Sequence, residues 1–194
     1  MSKPLVCFDL ETGGLDIATA PIIQMAAVVM EDGKEVMAWE RKVAFDADLA
    51  EPRALEINHY DHAVWQREAV SRRQALHELY ALCSRNAWVQ QTSKAGYSYK
   101  VAMLCGHNAV GYDFPILQRE FSSYSLFLPA AYSCVLDTLH LARWRFWDTE
   151  RRPSSFSLEA LCAWYEIALP GAHDALCDAR AVAQIIPLLR GENQ

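Results

Sequence analysis

Blocks of apolar residues, spaced differently in different parts of the chain, separate strands from helices. Leu5-Val6-Cys7-Phe8 is an apolar run that leads into Asp9-Leu10-Glu11, and Leu5–Glu11 reads as a first strand. Gly13-Gly14 marks a turn, and Ile22–Met30 is a largely buried second strand. Glu31-Asp32-Gly33-Lys34 carries the Asp-Gly signal of a tight hairpin, so Glu35–Phe45 completes a three-stranded meander. Pro52 opens a short helix to about Ile57. Ser71 and Gln74 have capping-box spacing ahead of Ala75, Leu76, Leu79 and Leu82, which recur at helical period. Residues 86–99 show no clear period and predict a loop or a hairpin insertion. Val101–Cys105 is a fourth strand, followed by a helix with Pro115 in its first turn, and Cys134–Leu136 is a fifth. Ser157 caps a helix through Ile167, and Pro170-Gly171 ends that segment. A last helix over about Asp174–Leu189 sets Leu176, Ala179, Ala183, Ile186 and Leu189 on one face. This order predicts an α/β fold: a mixed five-stranded sheet, antiparallel meander plus parallel strands, flanked by helices.

With 194 residues, 52% apolar and 22% charged, the chain is expected to form one soluble domain with its core at about 5–189. No apolar run approaches the ~20 residues of a membrane helix. Met1-Ser2-Lys3-Pro4 lacks a signal-peptide pattern, and the expected location is cytoplasmic. Cys7, Cys83, Cys105, Cys134, Cys162 and Cys177 are scattered through apolar segments without a CxxC pair, which predicts reduced core thiols. The formal charge of −6 counts against a duplex binder that works through its own basic surface. It does not count against an acidic metal site, where bound cations restore positive charge locally.

Candidate chemistry starts at Asp9 and Glu11. Residues i and i+2 of a strand share a face, so two carboxylates stand side by side at the end of an apolar strand. Their repulsion and desolvation call for a divalent metal. Asp113, at the start of a helix, is a further acid, though taken alone it reads first as an N-cap. Asp178 lies one turn inside the last helix beside its apolar stripe, and His173 precedes that helix. An imidazole with a pKa near ~6.5 is suited to accept a proton at neutral pH. The plainer alternative for this pair is a helix-terminal histidine and a surface aspartate.

The ordered set Asp9-x-Glu11-Thr12-Gly13, then Asn108 through Asp113, then His173-x4-Asp178 resembles the DEDD superfamily of 3′→5′ exonucleases, in its histidine subclass. Phe156-Ser157-Leu158-Glu159-Ala160-Leu161 resembles the helix that family places ahead of its last motif. The resemblance implies an RNase H-like fold, with Asp9, Glu11, Asp113 and Asp178 as metal-binding carboxylates and His173 as general base. It implies two Mg²⁺ or Mn²⁺ ions, one on Asp9, Glu11 and Asp178, the other on Asp9 with Asp113. Oxygen-rich ligands suit those hard cations, and two metals can serve both the attacking water and the leaving oxygen. The sequence departs from the family in two places. The second motif has one residue more than the common proofreading version, and Gln24 stands where an acid is frequent.

For the substrate, Thr12, Gly13, Gly14 and Leu15 are expected to receive a 3′ end, with Leu15 wedged against the terminal base. Glycines there are also ordinary turn residues. Asn108 either shapes the site or serves a core or turn role. Arg143, Arg145, Arg151 and Arg152 interleave with Trp144, Phe146 and Trp147, a composition that can track phosphates and stack bases, or else a solvated helix end with core tryptophans. Lys94, Tyr97, Tyr99 and Lys100 form a weaker candidate, and His59 is expected to be structural. The expected function is a metal-dependent 3′→5′ exonuclease that releases 5′-mononucleotides from single-stranded nucleic acid, DNA before RNA. The alternatives are an exoribonuclease or oligoribonuclease, and a proofreading or partner-binding subunit. A homodimer and a polymerase partner are both compatible with the chain. A paired-carboxylate glycosidase is the remote third class, since it needs neither four acids nor this histidine.

Overall fold

The structure, a computed structural model, describes residues 3–171 and 173–191. Met1, Ser2 and residues 192–194, on which the expectations about a leader and a tail partly rest, lie outside the described residues. A six-stranded sheet comprises β1 (Leu5–Thr12), β2 (Ile22–Glu31), β3 (Lys34–Lys42), β4 (Val89–Thr92), β5 (Ser98–Gly106) and β6 (Ala130–Asp137). The first three are the antiparallel meander, β5 lies parallel to β1, and β6 parallel to β5. The insertion at 86–99 takes the hairpin form: β4 pairs antiparallel with the start of β5 and adds one strand to the expected five. The described residues form seven α-helices, in chain order α1 (Pro52–Ile57), α2 (His62–Glu68), α3 (Arg72–Arg85), α4 (Asp113–Ser123), α5 (Thr138–Arg145), α6 (Leu158–Trp164) and α7 (Ala175–Leu189).

Strand alternation assigns the helices to two faces. Val6, Phe8 and Leu10 join one core cluster with Leu76, Leu79, Phe114, Leu117 and Phe121 of α3 and α4. Cys7, Val28 and Cys105 face the other way, into a cluster with Ala142, Leu161, Val182 and Ile185 of α5, α6 and α7. Asp9 and Glu11 continue the Cys7 series, so both point to the α7 side. All six cysteines are free, and five are fully buried.

Several boundaries differ from the sequence pattern. The third strand stops at Lys42 rather than Phe45, because Ala44 N–H donates to Val70 O at 2.9 Å and the chain turns away from the sheet. The helix expected through Ile167 ends at Trp164. Glu166 takes a left-handed φ of 56°, and Ile167 N–H folds back to Cys162 O at 2.8 Å. The fifth strand of the pattern spans Ala130–Asp137 rather than Cys134–Leu136. Two helices had no sequence expectation: α2, capped by Asp61, and α5, capped by Asp137. Among the described residues no helix is long and apolar enough to cross a membrane.

Gly106 ends β5 where the backbone must pass close to β1 and the next loop. A Cβ built there would lie 2.5 Å from Ala109 Cβ and 3.1 Å from Phe8 O. Gly106→Ala is therefore expected to cost ~1–3 kcal/mol by overpacking, read from urea denaturation midpoints. An unchanged midpoint would contradict this packing.

Candidate active site

The strand end that carries Asp9 and Glu11 is finished by an irregularity in the β1–β2 register between Glu11 and Thr12. Glu11 is buried and Asp9 half-buried. Asp113 is the first residue of α4, and the cap position falls to Tyr112. Instead of capping, the Asp113 carboxylate crosses to β1, where Oδ1 accepts from Leu10 N–H at 3.2 Å. That bond sets the third acid beside the first two. Asp174 caps α7 by accepting from Cys177 N–H at 3.0 Å, which leaves Asp178 free in the first turn to face β1. Asp178 Oδ2 accepts from His173 N–H at 3.3 Å, while its Oδ1 is buried with no hydrogen-bond partner among the described residues. His173 is exposed in a left-handed conformation, φ 64°. Ligand atoms of Glu11, His173 and Asp178 all lie within 4.8 Å of one another. The readings of Asp113 as an N-cap and Asp178 as a surface acid are not what the structure shows.

Burial raises the proton affinity of all four acids, and for Asp9 and Glu11 the neighbouring carboxylates add to it. Burial first, then Asp113, Glu11 and Asp178, push the Asp9 carboxyl well above its usual range. Burial followed by Asp178 and Asp113 raises Glu11 to about 8. Burial likewise lifts Asp113 to about 7 and Asp178 to about 6, in the latter case against the opposing His173 backbone bond. A cluster of acids that resists ionisation, with one oxygen orphaned, is the donor chemistry a hard divalent cation satisfies. These residues fit such an ion.

Asp9 and Asp178 open into a cleft of about 490 Å³ that His107, Asn108, Arg143 and Glu159 also line. The sequence reading did not single out His107 or Glu159. His107 Nδ1 lies 2.8 Å from Thr138 Oγ1, and burial lowers its pKa. Asp137 was also missed: its carboxylate accepts from Asn108 N–H and Val110 N–H, each at 3.0 Å, and from Leu139 N–H at 2.9 Å. It thereby pins the loop that delivers Asp113. Asn108 turns that loop with φ 57° and also lines the cleft.

Thr12 to Leu15 are tied from behind. Tyr112 O–H donates to Gly14 O at 2.6 Å and lies 2.6 Å from Thr12 Oγ1, and Asn58 Nδ2 donates to Thr12 O at 2.9 Å. Gly13 N–H is spent on Pro21 O at 2.8 Å, so that amide is not free for a ligand. Its missing side chain serves packing, since a Cβ would sit 2.7 Å from Ala50 Cβ. Leu15 projects outward, 81% exposed. Tyr112 could have been noticed as the neighbour of Asp113; Asn58 carried no signal. His59, with φ 51°, is a turn residue. Gln24 Nε2 donates to Glu40 at 2.5 Å and to Asp174 at 3.3 Å, linking β2 to the cap of α7. The arginine–aromatic segment divides: Arg143 reaches the cleft, Phe146 is core, and Trp144 and Trp147 are exposed rather than buried. Lys94, Tyr97, Tyr99 and Lys100 belong to the β4–β5 hairpin, and none lines the cleft.

The family model RNase_T, described as Exonuclease, matches residues 6–186. This chain belongs to that exonuclease family. Membership agrees with the resemblance to DEDD 3′→5′ exonucleases and with an RNase H-like fold. Among curated proteins, the chain is 28% identical over 191 residues to the PolC-type DNA polymerase III of Halalkalibacterium halodurans, covering 96% of the chain and 11% of that polymerase. The corresponding polymerase of Lacticaseibacillus paracasei is 27% identical, with 98% and 12% covered. Among solved structures, zinc-bound E. coli exonuclease I with single-stranded DNA superposes with TM-score 0.79 at 18% identity, covering 100% of this chain and 41% of that one. Exonuclease I with a dT13 oligonucleotide gives TM-score 0.76 at 19% identity, covering 96% and 41%. The chain thus spans well under half the length of these relatives.

The raised carboxyls predict how metal-free stability depends on pH. The folded state holds protons that the unfolded chain releases near pH ~4, so stability falls as pH rises from there through about 8, the value for Glu11. Glu11→Gln is expected to melt above the metal-free wild type near that upper limit, and the gain should vanish toward pH ~4. Thermal melts in chelator across this range test it, and a constant difference would contradict the clustered charge.

Proposed function

We propose that this family member is a divalent-metal-dependent 3′→5′ exonuclease that releases 5′-mononucleotides from single-stranded nucleic acid, with DNA preferred to RNA. The observation that carries the reading is the convergence of Asp9, Glu11, Asp113 and Asp178 from three separate elements, with His173 beside Glu11 and Asp178, and with Asp9 and Asp178 lining an open cleft. Asp9, Glu11 and Asp178 would hold one Mg²⁺ or Mn²⁺, and Asp9 with Asp113 a second. Such a pair, when bound, activates water and neutralises charge on the phosphate and leaving oxygen.

His173 accepts a proton from the attacking water as its oxygen bonds to phosphorus and the P–O3′ bond breaks. The leaving oxygen takes its proton from solvent. An exposed imidazole in the loop ahead of α7 can both reach this water and pass its proton outward. Leu15 meets the terminal base, and Tyr112 and Asn58 hold the loop beneath it. Single-stranded DNA bound by structurally similar exonuclease I supports the substrate class. The PolC-type relatives support a second reading, in which the same activity proofreads for a polymerase.

A chelator-controlled digestion of 3′- and 5′-labelled DNA and RNA oligonucleotides tests polarity, sugar preference and metal dependence together. Asp9→Ala is expected to abolish turnover, and full metal-dependent activity in that variant would overturn the site. His173→Ala is expected to lower kcat by ~10²–10⁴-fold while the melting-temperature rise caused by Mn²⁺ persists. Loss of both in the His173 variant would make it a metal ligand rather than the base.

A further inference from the structure

On α5 and the segment that joins it to α6, the molecule carries a second cleft of about 490 Å³, lined by Arg145, Phe146, Thr149, Arg151, Trp164 and Tyr165. Pockets of roughly 300–1,000 Å³ are the size that takes compact ligands. Its wall is aromatic: Phe146 meets Trp164 edge-on with ring centroids 5.7 Å apart, and Tyr165 at 6.5 Å. The Arg151 guanidinium lies over the Trp164 ring, 5.6 Å from its centroid, and Arg145 faces the Tyr165 hydroxyl. Guanidinium groups on an aromatic wall repel cations and waste their charge on an apolar ligand. They match a flat ring that carries a phosphate, because each guanidinium can stack on its open face and bond an anionic oxygen.

This cleft shares a wall with the catalytic one. Phe146 stacks on Phe156 at 6.1 Å with the rings 19° from parallel, and Phe156 lines the catalytic cleft. Arg143 and Arg145 stand two positions apart on α5, one in each cleft, so the C-terminal end of α5 is their shared rim. Trp144 and Trp147 rise from that rim, 77% and 70% exposed. In a chain of net charge −6, three arginines line the two clefts, Arg143 beside the acids and Arg145 and Arg151 in the second.

We infer that the second cleft is a subsite for a nucleotide lying 5′ of the terminal one on the same single strand. Its phosphate sits between Arg145 and Arg151, and its base stacks on the outer face of the Arg151–Trp164 pair. The inference rests on the exonuclease reading above and adds a length requirement to it. A strand too short to cross the α5 rim loses this contact, whereas a longer one gains it.

Steady-state kinetics on thymidylate oligonucleotides, from a dinucleotide to a dodecamer, test the subsite. Arg151 is exposed, so Arg151→Glu leaves the core intact, and a melt confirms it. In the wild type KM is expected to fall as the strand lengthens and then level off. Arg151→Glu should raise KM for the dodecamer about five-fold or more with kcat unchanged, and shift KM for the dinucleotide less than about two-fold. Arg151→Lys, which keeps the charge but loses the plane, should fall between. Equal changes at both lengths, or none at either, would overturn the subsite while leaving the exonuclease standing. If the wild type degrades no oligonucleotide, the exonuclease reading fails instead. Equilibrium binding of labelled dodecamer then judges the cleft alone: weaker binding by Arg151→Glu supports it, and unchanged binding overturns it.

Discussion

Burial of four neighbouring carboxylates, those of Asp9, Glu11, Asp113 and Asp178, is the constraint around which this molecule is arranged. Packed against one another at the end of a buried strand, the carboxylates disfavour their own ionised forms, and the fold has to hold them there regardless. It does so with backbone rather than with opposing charge. Strand pairing fixes Asp9 and Glu11, a β1 amide binds Asp113, and the first turn of α7 carries Asp178. No described lysine or arginine makes an ion pair with any of the four acids. The attraction that a salt bridge would satisfy is left for a cation from solution.

Support for the site comes from groups that do no chemistry. Asp137 gathers three amides to set the loop before α4, and Gln24 joins β2 to the cap of α7. Behind the Thr12–Leu15 loop, Tyr112 and Asn58 use their polar ends on backbone oxygens. Replacing small glycine side chains at 13 or 106 would push directly on neighbouring backbone or Cβ atoms. The acids are therefore held by a shell with little room to adjust.

The meander, the buried β2 and the α7 helix were legible because their apolar periods are long and unambiguous. Asp9 and Glu11 were legible as partners because strand geometry alone puts them on one face. Asp113 and Asp178 needed the order of motifs, since either could serve as a cap or a surface charge when taken singly. What the sequence concealed depends on contacts across the fold. Asn58 reaches Thr12 from a helix end with no local signature, and Asp137 looks like any residue between a strand and a helix. The α5 helix was missed because Thr138–Arg145 mixes arginine and tryptophan without an apolar stripe. Trp144 within it and Trp147 just beyond it face solvent, a placement that composition by itself argues against.

The crossing of β1 by α7 joins nearly the first described residues to nearly the last. Asp9 is synthesised well before Asp178 and meets it only when the long stretch of chain between them has closed, an entropically costly contact. A nascent chain therefore carries three of the four acids without a complete site until α7 has cleared the ribosome. The order of translation itself delays assembly of a nucleic-acid-cutting centre until the surrounding fold can be finished.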